Sequence, residues 1–103
     1  MAHQYANLIG YSDVEPYEIV RWVSDKTIEV REMRATRGDW KMDVRPGGFA
    51  GHVANQREQT WTIESDESRP IIRARLRKDG RWHSKMGRHV LRDTPHKFYD
   101  YNF

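Results

Sequence analysis

The chain has no cysteine, which excludes a disulfide framework, a thiolate metal site and a thiol nucleophile. No run of residues approaches the ~20 apolar positions of a membrane-spanning helix. The opening residues, MAHQYANLIGYSD, carry neither the basic start nor the apolar stretch of a secretory leader. These absences lead to the expectation of a soluble, cytoplasmic protein with no membrane partner. Helical periodicity is missing too: no window of about ten residues repeats its apolar positions every 3.6. Also missing are G-x-S-x-G, H-E-x-x-H and the glycine spacing of a phosphate-binding loop, so no enzyme is expected. Aliphatic content is low. Leu, Ile, Val and Phe make up nineteen of 103 residues, under the rough 20% mark below which chains tend to disorder. A net charge of only +3 opposes that outcome, and four Trp and five Tyr supply large surfaces to bury. The length suits one domain, residues 1–103, with a modest core rich in aromatics.

What the sequence does contain is alternation. From Tyr17 to Met33, YEIVRWVSDKTIEVREM, two runs of alternating apolar and polar residues flank the turn-prone Ser24-Asp25-Lys26, a β-hairpin signal. Pairing Val23 with Thr27 sets Trp22 opposite Ile28 and Val20 opposite Val30 on one face, and Arg21 opposite Glu29 on the other. A slip by one residue, around a two-residue Asp25-Lys26 loop, splits the apolar set between faces. Glu18 opposite Glu32 is the weak point of the preferred register. The Trp22-Val20-Ile28-Val30 face is expected to form one wall of the core, with Trp61, Ile72 and Leu76 opposite.

Further strands are expected at 5–11 (YANLIGY), 40–44 (WKMDV), 58–64 (EQTWTIE), 70–78 (PIIRARLRK), from Trp82, at 89–91, and at 98–103 (FYDYNF). Residues 35–39 and 65–68 read as turns. Asp79-Gly80 supplies a tight turn between Lys78 and Arg81. Residues 45–56, RPGGFAGHVANQ, form the longest irregular stretch, and long loops in small domains often carry function. This pattern predicts an all-β fold: a small antiparallel, partly open SH3-like barrel of five to seven short strands.

Charge is unevenly placed. Residues 69–97 hold ten Lys/Arg and two Asp, and the remainder holds eight basic and thirteen acidic residues. Alternation along the 70–78 strand sends Ile72, Ala74 and Leu76 to one side and Arg73, Arg75 and Arg77 to the other. Lys78, Arg81, Lys85 and Arg88 come next, with Trp82 among them. Guanidinium groups bind phosphates and aromatic rings stack on bases, so these eight residues are the candidate surface for nucleic acid or another anionic partner. The competing expectation is neutralisation within the sheet. If the 58–64 strand pairs here, Glu58 faces Arg77 and Thr60 and Thr62 face Arg75 and Arg73.

Other candidates are weaker. The five histidines show no metal-ligand spacing, and no metal or other cofactor is implied. His52 with Asn55, Gln56 and Gln59 forms a polar cluster that suits a small ligand or the capping of loop backbone. Phe49 and His52 in the Gly-rich loop, with Tyr99, Tyr101 and Phe103 at the C-terminus, are candidates for protein contact, since aromatic residues suit interfaces.

Several short motifs carry a resemblance: Tyr11-Ser12-Asp13, Thr27-Ile28-Glu29-Val30, Gln59 before Trp61, Asp79-Gly80-Arg81-Trp82, and the terminal Phe98-Tyr99-Asp100-Tyr101-Asn102-Phe103. With them the chain resembles a group of small uncharacterised proteins of phages, prophages and bacterial mobile elements. No activity or functional residue carries over from that group. The resemblance implies a setting: a small accessory protein acting on nucleic acid or on a host complex. Two functions are therefore expected in competition. One is a non-enzymatic protein that contacts nucleic acid or a nucleoprotein through its basic strand-hairpin face. The other is an inhibitor of a host protein complex, of anti-defence type, acting through the Gly-rich loop or the aromatic C-terminus.

Overall fold

The computed structural model describes residues 3–45 and 52–101. Eleven strands succeed one another along these residues: β1 (Tyr5–Ile9), β2 (Val14–Glu15), β3 (Tyr17–Ser24), β4 (Thr27–Glu32), β5 (Arg34–Arg37), β6 (Val44–Arg45), β7 (His52–Val53), β8 (Trp61–Glu64), β9 (Ile71–Leu76), β10 (Trp82–Ser84) and β11 (Gly87–Arg92). A 3-10 turn spans Gln56–Glu58. There is no α-helix among the described residues, as the absence of helical periodicity leads one to expect.

Seven strands form one antiparallel sheet in the order β11-β10-β9-β4-β3-β1-β2, and β11 also pairs with β1. The last pairing runs from Tyr5↔Arg92 to Ile9↔Arg88 and closes six strands into a small barrel, with β2 attached to β1 as a seventh. The all-β antiparallel barrel is thus the fold, and its sheet closes completely. Inside it, Ala6, Tyr17, Ile28, Val30 and Ala74 form a buried cluster against which Leu8, Ile19, Ile72, Trp82 and Leu91 pack. His89 is buried among them, edge-on to the Tyr17 ring at 5.1 Å.

The β3–β4 hairpin resolves its own conflict. Trp22↔Ile28 and Arg21↔Glu29 pair as expected, but the turn starts at Ser24↔Thr27, and below Arg21 the pairs become Ile19↔Val30, Glu18↔Arg31 and Tyr17↔Glu32. Two register shifts do this, one on each side of the Arg21-Trp22 pair. They leave Val20 and Val23 exposed, 41% and 38%. A bulge inserts one unpaired residue and re-aims the side chains beyond it. Here it replaces the Glu18/Glu32 repulsion by a salt bridge in which Arg31 Nε and Nη2 donate to Glu18 Oε1 at 3.0 and 2.8 Å. Val20 is therefore not part of the core wall, and Ile19 takes its place.

Three other expectations fail. Residues 34–37, read in part as a turn, form β5 and pair with β8 from Arg34↔Glu64 to Arg37↔Trp61. Trp61 thus lies in this separate ladder, outside the barrel core. The expected 40–44 strand shrinks to Val44–Arg45, paired with His52–Val53. Of the C-terminal aromatic stretch, the described residues 98–101 form no strand. They make one bridge, Val14↔Phe98, and are otherwise held by side chains: Gln59 Nε2 donates to the Tyr99 carbonyl, Gln59 Oε1 accepts from Tyr99 N–H, and Gln56 Oε1 accepts from Tyr101 N–H, at 2.9–3.0 Å.

Candidate nucleic-acid interface

Strand alternation places the β9 arginines as expected. Ala74 is buried and Ile72 and Leu76 half-buried, while Arg73 and Arg75 are exposed. β9 does not pair with the 58–64 segment, however. Its neighbours are β4 and β10, so Glu58 does not face Arg77 and the expected neutralisation takes another form. Directly opposed residues of antiparallel strands share a face. Thr27, Arg75, His83 and Arg88 accordingly form one row across β4, β9, β10 and β11, with Cβ atoms about 5 Å apart. Glu29 and Arg73 form the adjacent row, about 6.7 Å along the strand.

The β9–β10 connection extends this surface. The Gly80 N–H donates to the Arg77 carbonyl (2.9 Å) and the Arg77 N–H to the Arg81 carbonyl (3.0 Å). This is a three-residue hairpin loop whose last position needs positive φ, met by Gly80 at +79°. Arg77, Lys78 and Arg81 project from it, all exposed. The Leu76 N–H donates to the Lys26 carbonyl (2.9 Å), so the β3–β4 turn lies alongside and adds Lys26. Sequence reading misses Lys26 because the β4–β9 pairing that brings it there spans more than forty residues.

Carboxylates reach only part of this surface. Glu29 accepts from Arg21 Nε at 2.9 Å and from Arg73 Nε at 3.4 Å. The Arg21 hydrogen bond above all, with Arg73 helping, holds the Glu29 carboxyl below its ordinary pKa. Asp79 sits in the turn, accepting from the Arg81 N–H (2.8 Å) and contacting His83 Nε2 (3.2 Å). The Arg81 N–H chiefly, then His83, lowers its pKa. Arg75, Arg77, Lys78, Arg81 and Arg88 make no ion pair with any described residue. The acidic part of the chain does reach the basic segment, but through Arg69–Glu32, Arg73–Glu29 and Lys97–Glu15.

Two members of the expected set lie elsewhere. Trp82 is inside: it pairs with Leu76 and His89, packs on the core, and meets Trp22 edge-on at 5.7 Å. The same alternation that exposes Arg75 and Arg88 turns Trp82 away from them. Lys85 lies in the β10–β11 turn at the opposite end of the barrel, beside Tyr17, Glu32 and Arg69. His83 and His89 fall on opposite faces of the barrel wall.

The other candidates have structural duties. Asn55 Oδ1 accepts from the Asp43 N–H and its Nδ2 donates to the Lys41 carbonyl, both at 2.7 Å. Gln56 and Gln59 hold the C-terminal backbone, and Gln59 Oε1 also accepts from Trp61 Nε1 (2.7 Å). These amides cap loops. Tyr101 stacks edge-on against Tyr99 (4.8 Å) and Trp40 (5.6 Å). Phe49 and Phe103 lie outside the described residues, and of His52 only the backbone is described. No helix is long and apolar enough to cross a membrane among the described residues. Comparison of the chain with protein-family models, curated proteins and solved structures finds no match.

Proposed function

We propose that this protein binds nucleic acid, alone or within a nucleoprotein, through the outer face of β9–β11 and the adjoining 77–81 turn. The observation that carries this reading is the co-location of Arg75, Arg88, Arg77, Lys78 and Arg81 without ion-pair partners among the described residues. Unpaired, hydrated cations release condensed counterions when they meet phosphate, which supplies affinity independent of base sequence. Among the described residues the surface offers cations and no aromatic platform, since Trp82 is inside, so phosphate contact dominates base readout. The setting is that of a phage or mobile-element accessory protein.

Fluorescence anisotropy with labelled single- and double-stranded DNA and RNA tests the proposal. Binding is expected at low salt, with log Kd rising linearly with log salt. Arg75→Glu/Arg88→Glu should weaken binding by at least about tenfold and flatten the slope by about two. Lys85→Glu, at the other end of the barrel, should change neither. Wild-type affinity in the double variant overturns the assignment.

Inhibition of a host protein complex is the second reading. It is favoured by two exposed tyrosines, Tyr11 (95%) and Tyr99 (46%), on segments joined by the hydrogen bond from Asp100 N–H to Asp13 Oδ1 (2.7 Å). Capture of a host complex that survives nuclease treatment, and is lost in Tyr11→Ser/Tyr99→Ser, favours it over the first.

A further inference from the structure

The outward positions of β1 and β11 near the closing seam include two aliphatic residues. Ile9 and Val90 face out, in register with Arg88 and Asn7, and Val14 of β2 adjoins them. The chain beyond β11 crosses over these residues. Its anchor is Asn7, 3% exposed, whose Nδ2 donates to the Thr94 carbonyl (3.2 Å) and whose Oδ1 accepts from the His96 N–H (3.0 Å). The far end is fixed by the Val14–Phe98 bridge. The strap does not fill the space beneath it. A recess of about 320 Å³ remains, floored by Ile9, Val14 and Val90 and rimmed by Arg92 and His96.

That volume is at the lower end of the range for small-molecule sites, about 300–1,000 Å³. The chemistry of its rim is one-sided. Arg92 donates only to its neighbour's carbonyl, Leu91 O (3.0 Å), and makes no ion pair among the described residues. The nearest carboxylate in sequence, Asp93, is engaged by His3 at 2.8 Å. An apolar floor beneath a guanidinium without an ion-pair partner among the described residues is complementary to a ligand with an apolar body and a carboxylate head, which arginine can grip with two parallel hydrogen bonds.

We infer that the recess between the 93–98 strap and the β1–β11 seam binds a small organic monocarboxylate, its apolar body on Ile9, Val14 and Val90 and its carboxylate on Arg92. This site lies apart from the β9–β10 turn, and its ligand is a small molecule.

The probes are benzoate and 4-methylpentanoate, with benzamide as the uncharged isostere of the first. Two-dimensional amide NMR should show saturable shifts concentrated at Ile9, Val14, Val90, Thr94 and His96. Arg92→Gln, an exposed substitution, should keep the folded spectrum and weaken benzoate by about tenfold or more, and benzamide should bind wild type weakly and Arg92→Gln equally weakly. Val90→Phe, which fills the recess, should abolish the shifts while keeping the rest of the folded spectrum. Absence of saturable binding by both carboxylates, shifts centred elsewhere, or equal affinity of benzoate and benzamide overturns the inference. Displacement of benzoate by an oligonucleotide also overturns it, because the recess then belongs to the polynucleotide surface.

Discussion

His89 is the residue whose chemistry is most constrained. It is 2% exposed, with Nδ1 at 2.8 Å from the Ala6 carbonyl and Nε2 at 2.7 Å from Ser84 Oγ. A carbonyl only accepts, so Nδ1 carries the proton and the Ser84 hydroxyl donates to Nε2. Burial is the main cause that lowers its pKa. The Ala6 carbonyl opposes the shift, and nearby His83 adds to it. The neutral ring is therefore the folded form. Below the unfolded value, about 6.5, the unfolded chain binds a proton that the folded chain refuses, so stability falls with acidification from there down to the lowered folded value and is level above it. Thermal unfolding between pH 5 and 8 should show this decline, and His89→Gln should remove the dependence in that window. Glu29 makes a second residue-scale prediction. Glu29→Gln releases Arg73 and Arg21 from their shared carboxylate. Oligonucleotide affinity should rise and the salt slope steepen by up to about one. Unchanged affinity would mean that Arg73 lies outside the contact.

At the scale of the element, the β3–β4 hairpin shows how a chain settles a conflict between two rules. Apolar alternation favours one register, and the Glu18/Glu32 clash opposes it. The two register shifts satisfy both, at the cost of exposing Val20 and Val23. The apolar residues of this hairpin are then unequal. Val20→Thr and Val23→Thr should shift unfolding free energy by no more than about 0.5 kcal/mol. Ile28→Ala, at a fully buried position, should cost about 2–5 kcal/mol. Chemical denaturation measures all three, and a large loss at Val20 would place it back in the core. The β9–β10 hairpin carries no such conflict. Its turn is readable because Asp79-Gly80 meets a local demand for positive φ that few other dipeptides meet.

For the whole molecule, what the sequence discloses is local. Alternation in 71–77 identifies which arginines face out, and the closely spaced hairpins point to a barrel. What it does not disclose is long-range partnership. Nothing near Arg73 announces Glu29, forty-four residues earlier, and nothing near Arg34 announces Glu64. Trp82 sits among cations in the sequence and so reads as part of the basic face, although the strand parity that governs Arg75 and Arg88 sends it inward. The recess over β1 is invisible for a similar reason, since its floor comes from three strands and its rim from the end of β11 and a segment with no strand signal. The flank outside the barrel also shows in the dimensions. The Cα radius of gyration is 15.6 Å, against about 13 Å for a compact chain of this length.

The β1–β11 seam has one more consequence, for the order of events in folding. The strand that closes the barrel pairs Tyr5 with Arg92, so the first strand waits for nearly the last. Its outer backbone groups stay unpaired during synthesis until residues 87–92 have emerged. Such separation slows folding toward the millisecond-to-second range seen for small barrels rich in non-local contacts. A chain interrupted before Gly87 lacks the closing partner and is left with an open sheet whose β1 edge is free to pair with another molecule.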